Sequence, residues 1–412
     1  MAGLPLADVR VLDLTRLLPG GFCSLLLADL GADVLKVEDT GMGDYVRWSP
    51  PYYGGEEQQG LGTRSALYLS LNRGKRSIRL DLKSERGREA LLRLVGSHDV
   101  VLDGFRPGVL DRLGVGYERL REANPAVVVA AITGYGQDGP NAQRAGHDIN
   151  YLALTGLLGL TGEHNGPPVS AAGQIADVNG GLMAAIGVLA ALNERRRSGE
   201  GQYVDVSMAD GALSWLAFVA AGYLCDGEVP RRGEGPLSGG FACYRSYQAA
   251  DGWVSCGALE PKFWAAFCNG VGRPDLIEKQ FEAPGSPAHA EIAAVFRSRS
   301  REEWRTFNDQ HDCCIEPVLD LDEALGSELV RAREMVVELD QPEIGPVRLL
   351  GNPIKLSRTP GDPSRPAPAL GEHTEEVLRE AGLSAEQVAA LTASGAAMTA
   401  EQAAGTVAEG GD

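Results

Sequence analysis

The amino-terminal segment constrains the fold more than any other part of the chain. Residues 9–15 form a largely apolar run with β-branched side chains, and residues 22–30 repeat apolar side chains at helical spacing before Gly31. A second short apolar run follows at residues 33–37. This order predicts one βαβ unit, because two parallel strands need a helical crossover between them.

Further apolar runs extend the same pattern. They lie at residues 77–82, 99–102 and 126–133, and helical-looking segments such as 85–96 separate them. The alternation predicts an α/β fold, with a mainly parallel, Rossmann-like sheet that carries helices on its faces. The turns between strands and helices lack GxGxxG, which argues against a dinucleotide-binding site.

The chain length and one change of pattern predict two domains. A chain of 412 residues exceeds what one hydrophobic core usually spans. Gly and Pro cluster at residues 227–240, and short strands and helices follow them. We predict a large domain at 1–224, completed by 330–391, a smaller α+β domain at 225–329, and a flexible tail at 392–412.

The charge of the chain limits its partners. The formal net charge is −18 and the pI is near 4.9, so the field of the whole protein repels nucleic acid and anionic lipid. An anionic ligand therefore needs a local basic cluster. We expect neither nucleic acid nor a membrane as a partner.

The cysteines and the apolar segments point to a cytoplasmic protein. The seven cysteines are scattered without CxxC spacing, so we expect reduced thiols and no metal site. The first residues carry no secretion signal, and no stretch approaches the roughly 18 uncharged apolar residues of a membrane-spanning helix.

A long apolar helix is predicted at residues 178–197. Asp177, a favourable N-cap residue, precedes it, and three arginines at 195–197 end it before Gly199. Charges of these signs at the two ends complement the helix macrodipole.

Five segments carry a resemblance that covers nearly the whole chain in the same order. They are LDLTRLLPGGFCSLLLADLGADVLKVE, LNRGKRSIRLDLK, GFRPGVLDRLGVGY, ERRRSGEGQYVDVSMADG and LGEHTEEVLREAGLS. Together they resemble the family III CoA-transferases and the α-methylacyl-CoA racemases that share their fold. The resemblance implies that fold, an acyl-CoA thioester substrate, no separate cofactor, and an interlocked homodimer in which one chain threads through the other.

The segment GHDINY at residues 146–151 separates the two branches. The racemases carry GHDxNY here, whereas many transferases place Tyr where this chain has His147 and Gln where it has Leu152. The departure favours the racemase branch. Without the resemblance, the more frequent interpretation of a lone histidine holds, in which His147 only forms hydrogen bonds in a domain seam.

Two carboxylates complete the catalytic set that the resemblance implies. Asp177 follows His147 by 30 residues (177 minus 147) and looks like the acid of the racemases' His and Asp pair. Unpaired N–H groups at the helix start could also donate to the thioester oxygen. Glu260 resembles the glutamate that orients the catalytic histidine. The alternatives are that Asp177 is only a helix cap and that Glu260 is an exposed residue before Pro261.

These residues predict a racemase that moves the α-proton of a 2-methylacyl-CoA through an enolate. Such an enzyme needs a base on each face of the planar enolate, and His147 and Asp177 supply that pair. The main alternative is a transferase in which Asp177 is the nucleophile that becomes an aspartyl-CoA thioester. A non-catalytic acyl-CoA-binding protein is a third hypothesis, which the catalytic motifs disfavour.

Basic residues are the candidates for CoA binding, because CoA carries phosphates. The basic candidates are Arg16, Arg73, Lys75, Arg76, Arg106 and Arg112, and the aromatic residue Phe105 is a further candidate. Phe105, Arg106 and Arg112 resemble the family's CoA-contacting turn, whereas a charge run can also be a solvated face. Asp39 stands where the family often has a basic residue, and Arg47 is the candidate replacement.

Overall fold

A computed structural model describes residues 3–55 and 64–402. Contacts divide this part of the chain into two compact units. Unit 1 takes the described residues up to Tyr151, then Gln174–Ala212, then those from Glu328 onward, and unit 2 takes Leu152–Gly173 and Leu213–Ser327.

Strands and helices alternate along the described chain. The strands are β1 (Arg10–Asp13), β2 (Asp33–Glu38), β3 (Arg76–Leu80), β4 (Val100–Asp103), β5 (Val128–Thr133), β6 (Tyr203–Ser207), β7 (Tyr244–Gln248), β8 (Trp253–Gly257), β9 (Ile315–Pro317), β10 (Val336–Gln341), β11 (Gly345–Leu350) and β12 (Ala397–Met398). The α-helices are α1 (Leu17–Asp29), α2 (Ala66–Asn72), α3 (Glu85–Val95), α4 (Val109–Arg112), α5 (Tyr117–Ala123), α6 (Asp148–Leu154), α7 (Leu157–Leu160), α8 (Ile175–Ser198), α9 (Met208–Ser214), α10 (Ala217–Asp226), α11 (Pro261–Gly270), α12 (Pro287–Arg297), α13 (Arg301–His311), α14 (Leu321–Gly326), α15 (Glu328–Ala332), α16 (Thr374–Glu380) and α17 (Ala385–Ala393). Short 3-10 helices cover Tyr45–Trp48 and Pro274–Lys279.

The predicted domain boundary differs from the observed one. It fell at residues 224 and 225, inside α10, whereas unit 2 already begins at Leu213 and also includes Leu152–Gly173. The reason is packing at long range, because α7 and α10 line the same apolar cavity of unit 2.

Unit 1 is built on a seven-stranded sheet in the order β12-β3-β2-β1-β4-β5-β6. All neighbours are parallel except β12, which pairs antiparallel with β3. The five strands predicted from apolar runs are β1 to β5, which confirms the α/β architecture. The strand order reverses between β1 and β4, and in such sheets ligands bind outside the carboxyl ends of the strands at this point.

Helix α1 begins earlier than its apolar spacing predicted. It starts at Leu17, so Pro19 lies in its first turn. The first N–H groups of a helix have no acceptor within the helix, and a proline there interrupts no bond. This start places the turn between β1 and α1 at the carboxyl edge of the sheet.

Helix α8 lies against α1 and against β5 and β6. The approach to α1 is close, because a Cβ added at Gly181 would lie 2.6 Å from the carbonyl oxygen of Pro19. Within the described residues α8 has the length and apolar composition of a membrane span, and half of that window is buried. The bent pair of α9 and α10 passes the same test jointly. The expectation that no stretch comes near this length was therefore wrong, and its packing makes α8 a core helix of unit 1.

Part of the predicted flexible tail is ordered. After α17 the chain forms β12, where Ala397 pairs with Leu80 at the edge of the sheet. Ala396 and Ala397 are buried in the core of unit 1. The prediction of flexibility was therefore wrong for residues 392–402, and residues 403–412 lie outside the described part.

Unit 2 has the α+β architecture expected for the smaller domain. Its sheet is antiparallel, in the order β7-β8-β9. Helices α11 to α13 supply an aromatic core, which includes Trp264, Phe267 and Trp304. All seven cysteines of the chain lie in the described part and are free thiols, as predicted.

Candidate active site

A cavity of about 1120 Å³ lies in unit 1 at the carboxyl ends of β1, β4 and β5. Its wall includes the turn after β1, the residues after β4, and the segment around α6. Five of the predicted site residues line it: Arg16, Phe105, Arg106, His147 and Asp177. The structure therefore brings the two predicted bases together with part of the predicted CoA-binding set.

The GHDINY segment fixes the backbone of His147 at the start of α6. The N–H of His147 donates to Asn150 Oδ1 at 3.0 Å, and the N–H of Asn150 donates to the carbonyl oxygen of His147 at 2.8 Å. The Tyr151 hydroxyl donates to the carbonyl oxygen of Gly146 at 2.7 Å. A Cβ at Gly146 would lie 2.8 Å from the Tyr151 ring, so this packing requires glycine. The His147 side chain is left exposed at the cavity.

Asp177 does not cap α8, which corrects the sequence prediction. The helix begins at Ile175 with Gln174 at the N-cap, so Asp177 is its third residue. The cap is supplied from α6 instead, because Asp148 Oδ1 accepts from the N–H of Ala176 at 2.6 Å and from the N–H of Asp177 at 3.3 Å. These two N–H groups are therefore occupied and do not form the predicted donor site for a thioester oxygen.

The surroundings of Asp177 raise its pKa to about 6. Burial is the largest cause, the neighbouring carboxylate of Asp148 adds to it, and His147 acts in the opposite direction. An aspartate with this pKa exchanges protons near neutral pH, as a general base or acid must. The pKa of Tyr151 is also raised, to about 12, because its phenol is partly buried and because the Asp177 carboxylate is nearby.

Glu260, the third predicted catalytic residue, belongs to unit 2. It is the N-cap residue of α11, directly before Pro261, and its side chain is exposed and forms no capping bond. This placement agrees with the alternative that Glu260 is an exposed residue before Pro261.

The predicted basic cluster at residues 73–76 is not an open ligand site. Arg73 is 2% exposed and binds both carboxylate oxygens of Asp29, at 3.0 and 2.7 Å. The Lys75 side chain is fully buried and donates to Ser24 Oγ at 2.7 Å, with Asp13 at 3.3 Å. These ion pairs hold α1 and β1 to the loop before β3. Assigning Arg73 and Lys75 to CoA was therefore wrong, because buried charges are retained only where they are paired.

Arg76 and Arg47 also have partners inside unit 1. Arg76 binds Asp33 and Glu380, both at 2.8 Å, so its guanidinium joins β2 to α16. Arg47 is buried and binds Glu38 at 2.7 Å, which holds the pKa of that carboxyl down at about 2. Asp39 pairs with Arg16 at 2.6 Å. Arg47 therefore does not replace the basic residue that the family often has at position 39.

Three arginines remain at the wall of the cavity: Arg16, Arg106 and Arg144. Arg144, which the sequence analysis missed, donates to Asn141 Oδ1 at 3.2 Å and is otherwise exposed. Arg112 is exposed at the end of α4 and is not part of this wall. The described residues contain no cluster of three or more His, Cys, Asp or Glu side chains that could hold a metal ion.

Sequence comparison identifies the family, and the chain belongs to CoA-transferase family III, whose model matches residues 6–374. The chain is 37% identical over 391 residues to the succinyl-CoA:mesaconate CoA-transferase of Haloarcula marismortui, which covers 92% of this chain and 96% of that protein. It is also 37% identical over 398 residues to the alpha-methylacyl-CoA racemase of Mus musculus, covering 94% and 96%.

A solved structure supports the same assignment. The crystal structure of a CaiB/BaiF family protein from Brucella suis superposes with a TM-score of 0.80 at 31% identity, covering 92% of this chain and all of that one. The protein is therefore an enzyme of this family, with acyl-CoA thioesters as its substrate class. Equal identity to a transferase and to a racemase leaves the reaction to the chemistry of the site.

Proposed function

We propose that the protein is an α-methylacyl-CoA racemase. One base removes the proton from the α-carbon, the pair from the broken C–H bond forms a carbon–carbon double bond, and the carbonyl π pair moves onto the thioester oxygen. The second base, in its acid form, gives a proton to the opposite face of the α-carbon, where the pair of the carbon–carbon double bond accepts it, and the carbonyl double bond re-forms from the oxygen pair. His147 and Asp177 are the two groups, and a later turnover or solvent exchange restores their protonation.

The observation that carries the proposal is the pairing of His147 with an aspartate of raised pKa in one cavity. A pKa of about 6 lets Asp177 take up and release a proton near neutral pH, so this carboxyl can act as the base in one direction and as the acid in the other. The role that the resemblance implies for Glu260 stays a prediction.

A family III CoA transfer is the second candidate, because Asp177 would also serve as the nucleophile that such an enzyme needs. The identity to the mesaconate CoA-transferase equals that to the racemase and keeps this reaction a candidate, whereas His147 has no part in its chemistry. The deciding experiment is incubation with one enantiomer of a 2-methylacyl-CoA in deuterium oxide. Racemisation with uptake of deuterium at the α-carbon supports the proposal, and CoA transfer to an added carboxylate without uptake supports the alternative.

We propose that Arg16, Phe105 and Arg106 bind the CoA moiety, since they line the cavity and the two guanidinium groups can pair with phosphates.

Arg106→Ala is expected to weaken CoA binding by about 1 to 3 kcal/mol without changing thermal unfolding. Arg73→Ala is the matched control. It leaves Asp29 buried without its partner and is expected to lower the free energy of unfolding by about 3 to 5 kcal/mol. Calorimetric titration with CoA and denaturant unfolding measure the two effects, and equal CoA affinity in Arg106→Ala contradicts the assignment.

We also propose a homodimer, on the basis of exposed apolar side chains in each unit. Ile186 in α8 is 59% exposed, Phe218 in α10 is 69% exposed and Leu224 is 80% exposed. On α8, Met183 and Leu189 are also exposed and lie three residues to either side of Ile186, on one face of the helix, and a contiguous exposed apolar face usually marks an interface. Light scattering with a mass close to that of one chain, 43.6 kDa, would contradict a dimer.

A further inference from the structure

Asp148 links the two proposed bases, His147 and Asp177, but is not itself one of them. It directly follows His147 in the chain, and its Oδ1 accepts from the N–H of Ala176 and the N–H of Asp177. The N-cap residue Gln174 makes no side-chain capping bond, so this carboxylate satisfies donors that the helix leaves open. One side chain therefore joins the start of α6 to the start of α8.

We propose that Asp148 is a positioning residue that sets the separation of the bases His147 and Asp177 and places a negative charge beside Asp177. This inference rests on the proposed racemisation. Asp148 is bound to His147 through one peptide bond and to Asp177 through that residue's own N–H, so a change in its side chain displaces one base relative to the other. A shift of the order of 1 Å between reacting groups can cost about 10²-fold in rate.

The second effect of Asp148 is electrostatic. Its carboxylate faces Asp177 and disfavours a second negative charge there, which acts in the same direction as burial. The other titratable groups that interact with Asp177 are His147, which favours its ionisation, and the phenol of Tyr151. Tyr151 in turn interacts with Tyr135 and Arg106. Of these groups, Asp148 is the one that also holds the Asp177 backbone.

Two substitutions separate the geometric role from the electrostatic one. Asp148→Asn keeps an acceptor oxygen for the N–H groups of α8 but removes the charge. We expect it to move the pKa of Asp177 down from about 6 by part of the gap to the ordinary value of about 3.9, because burial remains. The acidic limb of the kcat/KM profile for α-proton exchange should move to lower pH by the same amount. Asp148→Ala also removes the acceptor, and it should reduce kcat by about 10²-fold while KM for the acyl-CoA stays close to wild type.

The pKa is read directly from the ¹³Cγ resonance of labelled aspartate, assigned by its loss in Asp177→Asn. Asp138→Asn, which alters an exposed carboxylate of the same unit, is the control and should change neither the resonance nor the profile. Thermal unfolding confirms that each variant is folded. An unchanged Asp177 pKa in Asp148→Asn, or a wild-type kcat in Asp148→Ala, overturns the inference. Lack of exchange in the wild-type enzyme overturns the proposed function instead, and the resonance still decides the electrostatic role of Asp148.

Discussion

In the His147→Ala variant, α-proton exchange is expected to fall by about 10² to 10⁴-fold in at least one stereochemical direction. The reason is that one face of the enolate loses its proton donor and acceptor, while Asp177 still serves the other face. Affinity for CoA itself should remain close to wild type, because the imidazole acts on the acyl group and the arginines hold the phosphates.

Exchange into each enantiomer of a 2-methylacyl-CoA is followed separately in deuterium oxide by mass spectrometry. His311→Ala, at the exposed end of α13 in unit 2, provides a matched histidine substitution that should leave both rates unchanged. If His147→Ala exchanges the α-proton at the wild-type rate in both directions, the racemase assignment is wrong.

Strands β1 to β5 of unit 1 were predictable because each lies in an apolar run of the sequence. A parallel strand that is buried on both faces is apolar along most of its length, and β4 and β5 are nearly continuous apolar runs in the sequence. The end of α1 was also visible, since Gly31 adopts a positive φ of 105°, a conformation that favours glycine. Such features depend on neighbouring residues alone.

The errors came from partners that are distant in sequence. The sequence around Arg73 contains no obvious partner and indicates a free cation, yet its partner Asp29 lies 44 residues earlier in the chain. Lys75 pairs with Asp13, 62 residues away. The same is true of the N-cap of α8, which Asp148 supplies from 28 residues before Ala176. A local pattern shows that a donor or a charge exists, and only the fold shows what satisfies it.

The GHDINY segment combines both kinds of information. Its resemblance to the racemases singled out His147, but the resemblance gave no structural role for the other residues of the segment. The structure assigns them backbone roles, since Asn150 and Tyr151 bind the chain at His147 and Gly146. Asp148 extends from this turn to α8. The segment therefore fixes the backbone of one proposed base, His147, and binds the backbone of the second, Asp177, through Asp148.

Asp177→Asn is expected to reduce α-proton exchange by about 10² to 10⁴-fold, because the amide can neither accept nor return the proton. The variant should nevertheless be at least as stable as the wild type above pH 6. The folded-state pKa of Asp177 is raised to about 6, whereas an aspartate of the unfolded chain ionises near about 3.9. The stability of the wild type therefore falls as the pH rises from about 4 to about 6 and stays lower above that, and asparagine removes this loss. Urea unfolding at pH 5 and at pH 8 measures this difference, and a destabilised variant at pH 8 would contradict it.

Loss of activity in Asp177→Asn is expected for either reaction, so the covalent chemistry of the wild-type enzyme decides between them. A transferase converts Asp177 into an acyl anhydride and then a CoA thioester, and hydroxylamine attacks both. A racemase forms neither, because Asp177 only exchanges a proton. We therefore expect the wild-type enzyme to keep its activity after incubation with acyl-CoA and hydroxylamine. Mass spectrometry of the peptide that contains Asp177 provides the check, with enzyme treated without acyl-CoA as the control. A hydroxamate on this peptide that appears only with acyl-CoA would show nucleophilic catalysis, and the enzyme would then be a CoA-transferase.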